Sequence, residues 1–116
     1  MSAHATLIGR QLAQSRLSDT TATSLYSPAD GVKTQITEIL VSNNTAGAIA
    51  CRIFHDEDGT TYDQSTALYY DESIAANKTL RLDDLNWWMS NSSGNLAGRS
   101  ATGNALTFTV YGIEHL

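Results

Sequence analysis

The sequence is poor in the residues that usually announce a chemistry. Of 116 residues one is cysteine and one is proline, so an internal disulfide is impossible and a cysteine metal cluster is excluded. Charged side chains make up 16% of the chain, below the usual share, while apolar ones at 41% exceed what a disordered chain carries. No apolar run approaches the roughly 20 residues that span a bilayer, so no membrane partner is expected. The stretch from Met1 to Arg16 lacks the apolar segment with a basic flank that marks a secretory signal. Basic residues are scarce as well. Seven Lys and Arg stand against twelve Asp and Glu, a net charge of −5. A nucleic-acid partner, which needs a basic face to displace counterions, is not expected.

The negative charge is concentrated. Residues 55–84 hold eight acidic and two basic side chains, and the flanking segments are close to neutral. Such a region is suited to solvated loops and to steering a basic partner. The length suits one domain with one modest core.

Thr, Ser and Asn account for 33 of the 116 residues, a mixture of strand and turn formers that points to an all-β domain of many short strands. In Thr34 to Ser42, Ile39 and Val41 share a face that Thr37 extends, with Glu38 and Leu40 opposite. In Ala48 to His55, Ile49, Cys51 and Ile53 share one face and Arg52 and Phe54 the other. The joining residues, Asn43 to Gly47, have the composition of a hairpin turn. Ala105 to Glu114 carries the cleanest period-two alternation and reads as a central strand. Thr23 to Ser27 is a strand ended by the Pro28-Ala29-Asp30-Gly31 turn. Ala67 to Ser73 and Thr79 to Leu82 flank a turn at Ala76-Asn77-Lys78, and Leu96 to Ser100 forms a short strand in a Gly/Ser/Asn-rich stretch. The expected organisation is a single β-sandwich or jelly-roll-like domain over residues 19–116, preceded by an N-terminal arm or edge strand over residues 1–18, with a short helix there as the alternative.

Candidate chemistry is thin. His4, His55 and His115 are scattered and lack metal-ligand spacing. Cys51 lies on an apolar face and reads as a small core residue. The acidic run with Asp56 and Asp58, and Asp63 beyond it, is the best calcium candidate, because carboxylates in alternate positions before a glycine can wrap a hard cation. The full loop pattern fails, since Phe54 stands at the first ligand position and no glutamate at the last. An unliganded Asp-Gly turn is the competing reading. Neither the glycines around Leu96 nor the adjacent carboxylates at Asp71-Glu72 and Asp83-Asp84 have the spacing of a phosphate loop or an acid–base pair.

The aromatic pairs say more. Neighbours on a strand face opposite ways, so Trp87 and Trp88 cannot both enter one small core, and one of them is free to face a partner. The same holds for Tyr69 and Tyr70. In the N-terminal segment, Leu7, Ile8, Leu12 and Leu17 are candidate anchors on a neighbouring subunit, with Arg10 and Arg16 able to pair with acidic groups there.

Taken in order, Leu25-Tyr26, Gly31, Ile36 to Asn44 (ITEILVSNN), Ala48 to Phe54 (AIACRIF), the acidic Asp-Gly loop, Ser73-Ile74-Ala75 with Thr79 to Leu82, and Leu106 to Glu114 (LTFTVYGIE) follow a recognisable spacing. Over about residues 22–114 the chain resembles the small β-sandwich virion proteins of tailed bacteriophages, which include capsid decoration (cement) proteins and neck or tail components. Trp87-Trp88 lies outside that pattern. The resemblance implies a structural protein without catalytic residues or cofactors, located on the virion. Its expected role is to bridge subunits of the major capsid protein on the outside of the head, as a homotrimer whose arm reaches a neighbour. Deletion of residues 2–16 is then expected to leave a folded domain that no longer decorates capsids. The alternative role is a neck, tail or fibre-associated module, with carbohydrate affinity through Trp87, Trp88 and the 90–104 loop.

Overall fold

The computed structural model describes residues 7–116. His4 and the first six positions of the expected arm lie outside the described residues. Nine strands follow one another, with no helix among the described residues: β1 (Leu7–Arg16), β2 (Thr23–Tyr26), β3 (Lys33–Asn43), β4 (Ile49–Asp56), β5 (Ala67–Ile74), β6 (Thr79–Leu82), β7 (Trp87–Met89), β8 (Asn95–Ser100) and β9 (Leu106–His115). They form two antiparallel sheets. The first has the order β1-β9-β3-β6, with β7 also on β3, and the second the order β2-β8-β4-β5. β6 lies along Ile39 to Ser42 of β3 and β7 along Thr34 to Ile36, so the two act as one interrupted edge. Counted as one strand, they complete the eight-stranded order of a jelly roll.

Alternation explains the core. Leu106, Phe108 and Val110 of β9 point inward and are fully buried, and β9 is indeed interior to its sheet. Facing them across the sandwich are Cys51 and Ile53 of β4 and Leu96 of β8, all in the same buried cluster. Each such aliphatic or aromatic side chain contributes about 1.5–3 kcal/mol on burial. Gly98 of β8 has a packing reason to be glycine. A Cβ there would sit 3.0 Å from the Phe108 ring.

Two local expectations change. In β3 the inward residues are Thr34 and Ile36, then Ile39, Val41 and Asn43. The parity slips at Thr37, the extra residue of a bulge opposite β9. Thr37 therefore does not extend the Ile39–Val41 face. Its carbonyl instead accepts the Leu85 N–H at 3.0 Å, in the gap between β6 and β7. A second bulge, at Leu12 of β1, faces the same part of β9 from the other side.

The second change is topological. β3 and β4 do not form a hairpin, because they belong to different sheets and the residues between them cross from one to the other. The β5–β6 connection crosses back. Buried Asn43 fastens both crossings. Its amide donates to the carbonyls of Gly47 (2.9 Å), Ile74 (2.9 Å) and Ala75 (3.2 Å), and its own carbonyl accepts the Thr45 N–H at 3.0 Å. The turn after Pro28 forms as expected, with Gly31 at φ 79° and the Val32 N–H on the Ala29 carbonyl at 3.0 Å.

Candidate functional site

One end of the first sheet's outer face gathers apolar surface. The register sets Leu7 beside His115 and His115 beside Lys33, and Ile113 beside Gln35 and Gln35 beside Trp88. Trp88 remains 43% exposed, and its ring lies 4.8 Å from that of His115 at 48°. Leu7 is 59% and Leu116 55% exposed. Isolated exposed apolar residues are ordinary, but a cluster on one face marks a contact surface. Trp87 points the other way, pairs with Ile36 and packs against the core. The two adjacent indoles are thus divided between interior and surface. Tyr69 and Tyr70 are divided in the same manner, with Tyr69 against the core and Tyr70 exposed. His115 completes the patch, and the outward parity of Tyr111, Ile113 and His115 in β9 is the signal that leads to it.

The N-terminal candidates separate by strand face. Ile8 is exposed beside Glu114, whereas Leu12 packs against the core and Leu17 is buried within it. Leu17 therefore presents no side chain to a neighbour. Arg10 pairs within its own chain, its Nε 2.6 Å from Oε1 of the buried Glu114. The Tyr26 hydroxyl donates to Glu114 Oε2 at 3.1 Å and lies 2.7 Å from Thr34 Oγ1. The hydrogen bond from Arg10 holds the Glu114 carboxyl below its ordinary value, and burial pushes the Tyr26 phenol up. This cluster clamps β1 and β2 together across the open end of the sandwich. Arg16 is likewise engaged, its Nε donating to the Asn104 carbonyl at 3.1 Å.

The acidic segment after β4 uses its carboxylates on itself. Asp56 accepts the N–H of Thr61 at 2.8 Å and of Asp58 at 3.3 Å, and Asp63 accepts the N–H of Ser65 at 2.8 Å. These bonds hold both carboxyls below their ordinary values, led at Asp56 by the Thr61 amide and at Asp63 by the Ser65 hydroxyl. Asp56, Asp58 and Asp63 do not converge. Among the described residues no three His, Cys, Asp or Glu side chains are grouped to hold a metal ion. Cys51 is a core residue, and burial, with Glu72 nearby, pushes its thiol up to about 12. That disfavours the thiolate a nucleophile requires.

No known family matches the sequence, and no curated protein does. Solved structures match in fold. A chain in the crystal structure of the IBDV viral particle superposes with a TM-score of 0.56 at 12% identity, over 98% of this chain and 31% of that one. A chain of the infectious bursal disease virus Gx strain gives 0.47 at 12% identity, over 98% and 33%. At such identity the first match establishes the fold alone, and the second is too loose to argue from. The chain spans about a third of the length of either viral chain.

Proposed function

We propose that the protein is a structural component of a virion, a jelly-roll module that works by adhering to copies of itself and to a larger shell. The observation that carries this reading is the apolar end of the first sheet, with Leu7 and Trp88 exposed on either side of His115 and the long edge strand β1 alongside. The fold likeness to a chain of a viral particle supports it. A lasting contact removes about 800 Å² from each partner, roughly an eighth of this molecule's 6156 Å² surface. A few side chains do not supply that area, so the edge of β1 belongs to the contact as well.

In its specific form, the protein decorates the outside of a tailed-phage head as a cement protein. A homotrimer bridges subunits of the major capsid protein, without enzymatic activity and without a cofactor. Binding across the joints favours the closed shell over its opened states by mass action, and symmetry repeats each contact.

Co-expression with the structural genes that neighbour its own gene, followed by cryo-electron microscopy of the particles, tests this. The expected result is jelly-roll density on the head surface, lost with a Leu7→Ser, Trp88→Ser double variant that still folds. Density at the neck or tail would overturn the cement role, and absence of the protein from every particle fraction would overturn the virion role.

A further inference from the structure

The outer face of the second sheet carries a groove that the assembly reading does not use. It is lined by Arg52, Tyr62, Asp63, Gln64, Ser65 and Tyr70, with a volume of about 660 Å³. One wall is the segment 57–66. Phe54 of β4 shares the outward parity of Arg52, yet it is only 1% exposed and stands apart from the main core cluster. The ring of Tyr62 packs 6.1 Å from that of Phe54, so the loop folds back over the sheet and buries an outward-pointing aromatic.

Hydrogen bonds brace this wall from several sides. Besides the Asp56 and Asp63 carboxylates, the Thr66 hydroxyl donates to the Thr61 carbonyl at 2.7 Å and the Asn95 amide to the Gly59 carbonyl at 3.0 Å. The Glu57 backbone packs directly on Gly94, leaving no room for a Cβ there. The opposite wall is just as fixed. β5 bulges opposite Arg52, with Asp71 at φ 56°, and Asp71 takes two hydrogen bonds from the Arg52 guanidinium, at 2.7 and 3.2 Å. That guanidinium lies 3.8 Å above the Tyr70 ring centroid, holding the ring in place while the residue remains 42% exposed. Both walls are set before any ligand arrives, which lowers the cost of binding.

We propose that this groove is a binding site for a neutral saccharide. Its volume falls in the range of small-molecule sites, about 300–1,000 Å³. An apolar ligand would need an apolar lining, and this one mixes polar groups with two tyrosine rings. A phosphate or carboxylate would need an unpaired cation, whereas Asp71 neutralises Arg52 and Asp63 adds negative charge. A sugar ring fits both properties. Its C–H face packs on a tyrosine ring, and its vicinal hydroxyls, each donor and acceptor, match the Gln64 carboxamide, the Tyr hydroxyls and Oδ2 of Asp63, whose Oδ1 is taken by Ser65. This site is distinct from Trp87, Trp88 and the 90–104 loop, where the sequence suggested carbohydrate affinity.

The test is a titration of the isotope-labelled full chain, followed by amide resonances. Glucose, galactose, mannose and N-acetylglucosamine are each taken to about 50 mM, with glucuronate and inorganic phosphate as anionic controls; a shallow, open site is expected to bind with a Kd of about a millimolar. At least one neutral sugar should shift the amides of Tyr62 to Ser65 and Tyr70. Tyr70→Ala and Gln64→Ala should weaken that binding about tenfold, the size of one lost stacking or bidentate contact, while Trp88→Ala leaves it unchanged. Gln64 is exposed in a loop, so its variant keeps the test valid if the Tyr70 variant misfolds. The proposal is overturned if no neutral sugar shifts the groove, if the anions alone do, or if the shifts centre on Trp88.

Discussion

The two sheets treat their edges differently. In the second sheet, β2 is only four residues long, and β5 is broken by a bulge with Asp71 at φ 56° and carries the acidic pair Asp71-Glu72. Shortness, bulging and charge are the usual protections against unwanted strand addition. The first sheet protects one edge by splitting it into β6 and β7, of four and three residues. Its other edge, β1, runs for ten residues with no acidic residue or proline and a single bulge at Leu12. The second sheet is thus closed to added strands and organised around a polar groove, whereas the first keeps one long edge next to its exposed apolar end. Association is expected on the first sheet and ligand recognition on the second.

Deleting residues 2–16 should produce the largest effect. The sequence-based expectation that it leaves a folded domain is reversed, because β1 is an integral strand of the first sheet, paired along its length with β9. The deletion removes β1, strips one partner from β9 and takes away the clamp on Glu114, so the truncated chain should lose its cooperative thermal transition by circular dichroism. A transition close to that of the intact chain would mean that β1 is an appendage and that the two sheets are equally closed. Phe108→Ala, between the sheets, should cost about 4 kcal/mol in urea unfolding, since the cavity adds to the lost transfer energy. Asn43→Ala should cost about 3 kcal/mol by the same measurement, because the carbonyls at both crossings lose their donor in a buried place.

Glu114→Gln should act through pH. The Glu114 carboxyl is held below its ordinary value by Arg10, so the stabilisation is fully present above the ordinary carboxylate pKa and disappears as pH falls through the depressed one. The variant should flatten that part of the acid limb in a plot of stability against pH. The remainder belongs to the second sheet and its loop, where Asp56, Asp63 and Asp71 are held low by the Thr61 amide, the Ser65 hydroxyl and Arg52. The smallest effect on stability is expected for Trp88→Ser, within about 0.5 kcal/mol, because the indole is exposed. A larger loss would show that Trp88 serves its own fold and not an association surface.

Much of the body was legible because alternation is local. β3, β4 and β9 announce themselves through inward aliphatic residues every second position, and the split between Trp87 and Trp88 follows from the same geometry. What was not legible depends on distant partners. Asn43 to Gly47 has the composition of a hairpin turn, and an arch between sheets asks for the same residues, so only the pairing of β3 with β9 and of β4 with β8 decides between them. The slip at Thr37 has no signature in β3 itself. Phe54 reads as an outward residue and is one, but nothing nearby says that a loop will cover it. The groove draws on β4, β5 and the loop between them, and its residues become neighbours only after that loop folds back; the run Tyr62 to Ser65 ahead of Tyr69-Tyr70 was the available hint.

The position of β9 governs when this molecule can assume its shape. The last of the nine described strands lies between β1 and β3, and neither of those touches the other within the sheet. During synthesis β1 therefore emerges with no partner in its sheet and waits for β9, which begins about 90 residues further along the chain. Closure of the sheet depends on β9, so a chain that stops short of it lacks the strand that both of its neighbours require.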